Sequence, residues 1–178
     1  MSVESRTRRP AVTDPRLNLD IAWRSHAAQE SWTGKADAKA SIFLAMDGAV
    51  LAGVLTARAQ KGSYLHGLGG WPAAILIIAL ILCAAGALLA ATATFPLLGD
   101  PRRRGHRPGT IFFGDLRVRQ NDDLSQQLAA LTIDEQFSQV AHQLIAMSRA
   151  SWIKHRLMQA ALAVAILGYL LVFIVLVG

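Results

Sequence analysis

Twenty-four consecutive uncharged residues, PAAILIIALILCAAGALLAATATF from Pro72 to Phe95, constrain this chain more than any other feature. A bilayer core about 30 Å thick needs about 20 such residues in a helix. Lipid offers the backbone no hydrogen bonds, so a segment like this must satisfy its own, and a helix does so. A second run, LMQAALAVAILGYLLVFIVLVG at 157–178, has 22 residues and no charge. A third, 40–57, has 18 residues and contains Asp47. We read all three as spans; for the third, a buried helix or a re-entrant segment is the rival reading. Composition agrees: 53% of the 178 residues are hydrophobic and only 17% charged, where a soluble domain carries about 25% charge.

Lysine and arginine orient the spans. Seven precede the first span, two (Arg58 and Lys61) separate the first from the second, and nine separate the second from the third. The N-terminus and the long second loop are therefore expected in the cytoplasm, with the short loop and the C-terminus outside. The expected class is an all-α, multi-pass protein of the cell (inner) membrane. Its first and third transmembrane helices extend into the cytoplasm as a packed pair. The order is a flexible basic tail (1–16), a cytoplasmic helix (17–39), transmembrane helix 1 (40–57) and an external loop (58–71). Transmembrane helix 2 (72–95), a cytoplasmic loop and long helix (96–156) and transmembrane helix 3 (157–178) follow.

Local signals fill in this outline. Leu17, Ile21 and Ala28 fall near one helical stripe, with Asp14 or Asn18 available as a cap and a possible kink at Gly34. FPLLGDPRRRGHRPG, with its prolines and glycines, is a loop; its arginines suit anionic lipid. TIFFGDLRV fits a short extended piece or a helical turn. Thr132 and Glu135 have capping-box spacing ahead of a stripe through Phe137, Val140, Leu144 and Met147. Tyr64 and Trp71 suit the outer interface.

The polar groups at the edge of the first span need an explanation. KADAKASIFLAMDG carries Lys35, Asp37 and Lys39 into the span and Asp47 within it. A charge at the bilayer centre costs about 2.5–3.5 kcal/mol on insertion scales. Asp47 must then face protein or water, either lining a pathway or bonding a neighbouring helix, with Thr92 or Thr94 as possible partners. Lys35 and Lys39 lie one turn apart, and Arg149 and Arg156 share a face of the other long helix. Snorkelling to headgroups is one reading. The other is an anion site in which both pairs surround a phosphate and Asp37 orients a lysine. Ala45, Ala49, Gly53 and Ala57, and Ala79, Cys83, Ala87 and Ala91, recur every four residues. Such small-residue faces let membrane helices approach closely.

Several classes lose support. The one cysteine, Cys83, allows no intramolecular disulfide and no cysteine metal cluster. The five histidines lack ligand spacing. There is no phosphate-binding glycine loop, no nucleophile elbow and no paired-carboxylate site, so we expect no enzyme activity, no metal and no cofactor. The formal charge of +6 comes without an aromatic platform for nucleic acid.

WTGKADAKASIFLAMDGAVLAGVL, TATFPLLGDP, GTIFFGDL and EQFSQVAHQLIAMSRASWIKHRLMQAALAVAIL occur in an order that resembles the membrane-type Pycsar effectors. The resemblance covers about residues 17–178. It rests on Asp-x-Lys-Ala entering the first span, Phe-Pro closing the second and a basic residue entering the third. It implies an antiviral effector of abortive infection that senses a cyclic pyrimidine mononucleotide, cyclic UMP or cyclic CMP, from a neighbouring cyclase and then impairs the membrane. A homo-oligomer in the bilayer is the expected assembly. An anchoring subunit with a cytoplasmic interaction module, or an effector gated by another cyclic nucleotide, are the alternatives.

Overall fold

The structure of the protein is a computed structural model that describes residues 14–95, 109–117 and 119–177. Most of the expected basic tail and the PRRRGHR loop lie outside the described residues. Among the described residues five α-helices follow one another: α1 (Pro15–Ala59), α2 (Gly70–Thr94), α3 (Phe113–Leu116), α4 (Asn121–Ala130) and α5 (Ile133–Val177). A short 3-10 turn, Tyr64–Gly67, lies between α1 and α2. Helices α1, α2 and α5 are each long and apolar enough to cross a membrane. The protein is thus an all-α membrane protein.

Both long helices begin where local chemistry says they should. Pro15 sits at the first position of α1, where its missing N–H costs nothing. The Asp14 carboxylate accepts a hydrogen bond from Arg16 N at 3.0 Å. Helix α1 continues unbroken through Gly34. Ahead of α5 the capping box forms: Thr132 N donates to Glu135 Oε2 at 2.9 Å, and Glu135 N donates to Thr132 Oγ1 at 3.3 Å. Each long helix has 45 residues, more than twice the ~20 a span requires.

The described residues fall into two compact units, 31–95 with 148–177 and 14–30 with 109–147. In the second, TIFFGDLRV contains the single helical turn α3 rather than an extended piece. Thr110 donates to Gln139 Oε1 through both its N and its Oγ1, each at 2.9 Å, and Gly109 N donates to Asp115 Oδ2. The Thr110 bonds tie the segment before α3 onto α5, beside the buried Val140, and the Gly109 bond ties it to α3 itself.

The first unit is the membrane bundle. On α2 the buried residues are Leu76, Ala79, Cys83, Gly86, Ala90 and Ala93, spaced alternately three and four apart. On α5 the buried positions Ala161, Ala165, Gly168, Val172 and Val175 keep the same rhythm. A 3.5-residue repeat keeps two helices facing each other along their length. Their backbones come very close. A Cβ placed on Gly168 would sit 2.7 Å from Cys83 Sγ and 3.0 Å from Ala79 O. One on Gly86 would sit 2.9 Å from Ala165 Cβ. On α2 the seam therefore leaves the strict spacing of four after Cys83 and runs through Gly86 and Ala90, not Ala87 and Ala91. The reason is the repeat itself: steps of exclusively four residues wind off the contact line.

The corresponding stripe on α1 behaves differently. Ala45, Ala49 and Gly53 are exposed and only Ala57 is half-buried. Helix α1 instead buries Ala40, Phe43, Asp47 and Val54. Phe43 joins Ala90, Ala161 and Ala165 in one apolar cluster, and Val54 joins Leu65, Leu76, Ala79, Val172 and Val175 in another. Outward-facing Ile42, Met46, Ile77, Ile81, Leu170 and Phe173 are exposed, as lipid contact requires. At the loop end, Arg58 Nη1 donates to the carbonyls of Leu65 and His66 and holds the 3-10 turn against the end of α1.

Candidate functional site

Two polar contacts join α1 to α5 at what sequence reasoning places as the edge of the first span. Lys154 Nζ donates to both carboxylate oxygens of Asp37, at 2.7 and 3.0 Å. One turn earlier on each helix, the hydroxyls of Thr33 and Ser151 lie 2.8 Å apart. The Lys154 side chain is only 9% exposed, whereas that of Asp37 is 39% exposed. A buried ammonium has lost much of its water and needs an anion beside it.

The pair sits in a cleft of about 220 Å³, whose walls include Trp32, Lys35, Asp37, Lys39, Lys154 and His155. Lys35 and Lys39 are exposed, and neither forms an ion pair among the described residues. Three lysines and one carboxylate thus contribute to the lining of the cleft. Trp32, on the rim, is 61% exposed and offers an indole face to solvent. Trp152, at 68%, lies on α5 near the same level. Exposed tryptophans are characteristic of the membrane–water interface.

Of the sequence-derived site residues, the structure brings Lys35, Asp37 and Lys39 together. Arg149 lines a separate shallow depression with Ser148, Trp152 and Ile153. Arg156 is exposed and borders neither. Asp37 pairs with Lys154, not with Lys35 or Lys39. Lysines two residues before and after an aspartate on a helix point away from it, so the partner had to come from another element. Lys154 is the residue that sequence reasoning missed. A signal was present: with Met158, Ala161, Ala165 and Gly168 it continues the three-and-four rhythm of the buried face of α5.

Asp47 forms a second polar contact, deep in the bundle. It is 0% exposed, and Tyr169 Oη donates to its Oδ1 at 2.6 Å. Its Oδ2 has no hydrogen-bond partner among the described residues. The expected alternatives, Thr92 and Thr94, instead bond to the carbonyls of Leu89 and Ala91 in their own helix. Hydroxyls three residues past a carbonyl find it before any neighbouring helix. Among the described residues no group of acidic, histidine or cysteine side chains is placed to hold a metal.

The arrangement is an open-sided cleft with two exposed lysines, one buried lysine and one half-exposed carboxylate. In comparison with known proteins, the family model of the Pycsar effector protein domain aligns with residues 21–178. No curated protein and no solved structure matches the chain.

Proposed function

Because the chain belongs to the Pycsar effector protein domain family, and is a membrane effector of that defence, we propose that a cyclic pyrimidine mononucleotide activates it to impair the host membrane and abort infection. The carrying observation is the cleft. Lys35 and Lys39 have no ion-pair partner among the described residues, and they flank a buried third cation between two membrane helices. The lysine and arginine distribution supports a cytoplasmic placement of this end, where a cyclase would release its product. The exposed Arg149 and Arg156 raise the local concentration of an approaching anion. A phosphate seated in the cleft favours whichever arrangement of α1 and α5 holds it best, and the population shifts accordingly. The exposed face of Ala45, Ala49 and Gly53 then serves as the contact between copies in a leaky homo-oligomer.

Dye release from proteoliposomes tests this reading. Cyclic UMP or cyclic CMP should trigger release, and Lys35→Gln with Lys39→Gln should abolish it. Release by cyclic AMP instead would transfer the reading to another nucleotide. No release by any cyclic nucleotide, with no toxicity when a cyclase is co-expressed, would favour an anchoring subunit.

A further inference from the structure

We propose that Asp37 is a built-in competitor for a phosphodiester site centred on Lys154. The carboxylate occupies the place on Nζ that a phosphodiester oxygen takes, and ligand binding and release of this contact are one event. For the ligand's identity this rests on the nucleotide reading above; for the site it does not.

The two partners of the pair are unequally buried. Lys154 is fixed within the bundle and must keep an anion; Asp37, more than a third exposed, can turn to water at little cost. The buried partner is therefore permanent and the exposed one exchangeable. Three lysines against one carboxylate leave the cleft with two uncompensated positive charges. A monoanionic phosphodiester engaging Lys154, Lys35 and Lys39 replaces the carboxylate charge for charge at Lys154 and gains two further cations. The cleft admits a phosphate with part of a sugar, and a base leaving it meets the exposed Trp32. The same chemistry is found in a free cyclic nucleotide and in a lipid headgroup, and Trp32 and Trp152 place the cleft where both are within reach. Displacing Asp37 also removes one of the polar links between α1 and α5 seen among the described residues. Thr33–Ser151 and Asp47–Tyr169 would then hold the helices together.

The test uses the full chain in phosphatidylcholine nanodiscs, titrated with cyclic UMP and with cyclic CMP. A parallel arm adds phosphatidylglycerol without nucleotide and measures bound lipid. Asp37→Asn, which removes the competing charge, should tighten binding about tenfold if the carboxylate blocks the site about nine-tenths of the time. Lys35→Gln with Lys39→Gln, both on the surface, should weaken it. The double variant Asp37→Leu with Lys154→Met replaces the pair by apolar side chains of similar size, a change that buried pairs often tolerate. It should remain folded and lose binding. If a nucleotide binds and Asp37→Asn leaves its affinity unchanged or lower, the competitor is overturned while the effector reading stands. If only phosphatidylglycerol shows the expected pattern, the site stands with a lipid occupant and the nucleotide reading falls. Absence of binding in both arms overturns the site.

Discussion

Helix α5 is joined to α2 and to α1 by different chemistry. Against α2 it uses small residues. Gly86 meets Ala165, and Gly168 meets Cys83, at distances that leave no room for a methyl group. Against α1 it uses side-chain polar contacts as well, namely Asp37–Lys154, Thr33–Ser151 and Asp47–Tyr169. The most apolar stretch of α1 is also less covered, with 11% of it buried against 28% for each of the other two. In lipid there is no hydrophobic effect between helices, so close packing and hydrogen bonding must hold them. A packed seam has no substitute partner in lipid. A polar contact does, wherever water or an anion can reach it. Helices α2 and α5 thus form the closely packed pair, and α1 adds polar contacts to its apolar ones.

The largest effect expected from breaking the contrast is at Gly168. Gly168→Leu forces a branched side chain into Cys83 and the Ala79 carbonyl. Overpacking of this kind costs about 3 kcal/mol, and unfolding in mild detergent should occur correspondingly early. Cys83 reports the same event, because it is the single cysteine and is fully buried. A membrane-permeant maleimide should label it slowly in the native chain and quickly in Gly168→Leu. Protection that survives addition of cyclic UMP or cyclic CMP would sharpen the contrast; rapid labelling on their addition would show that the seam also opens.

A smaller loss is expected at the deep polar contact. Tyr169→Phe removes the donor to Asp47 and leaves both carboxylate oxygens without a bond among the described residues. Deleting one partner of a buried polar group costs about 1–2 kcal/mol, measurable by chemical denaturation in detergent. The smallest effects belong to the exposed glycines of α1. A Cβ on Gly48 or Gly53 meets nothing within 4 Å, so Gly48→Ala and Gly53→Ala should change stability by less than about 1 kcal/mol, toward stabilisation if anything. Dye release in those same variants is informative in the other direction. If copies meet along this face, bulkier Gly53→Leu should depress activated release while the resting protein unfolds normally.

Several features were legible without coordinates because they depend on the chain's own neighbours. The uncharged runs, the capping box at Thr132 and Glu135, and Asp14 as one of the two caps offered for α1 are decided within one helix by hydrophobicity and by the bonds its first turn lacks; that α1 starts at Pro15, two residues into the expected tail, was not read. The need of Asp47 for a partner was equally plain, since no lipid-facing carboxylate is tolerated at depth. Partner identity was not. Tyr169 rather than Thr92 or Thr94, and Lys154 rather than Lys35 or Lys39, depend on the rotation of one helix against another. That rotation is set by the seam, and the seam follows from which small residues allow the closest approach. Sequence alone established that this chain crosses a membrane with cations massed at the edge of its spans. Only the packing of α5 between α1 and α2 decided which lysine is buried, because burial of a side chain is a property of the neighbouring helix's surface and not of its own.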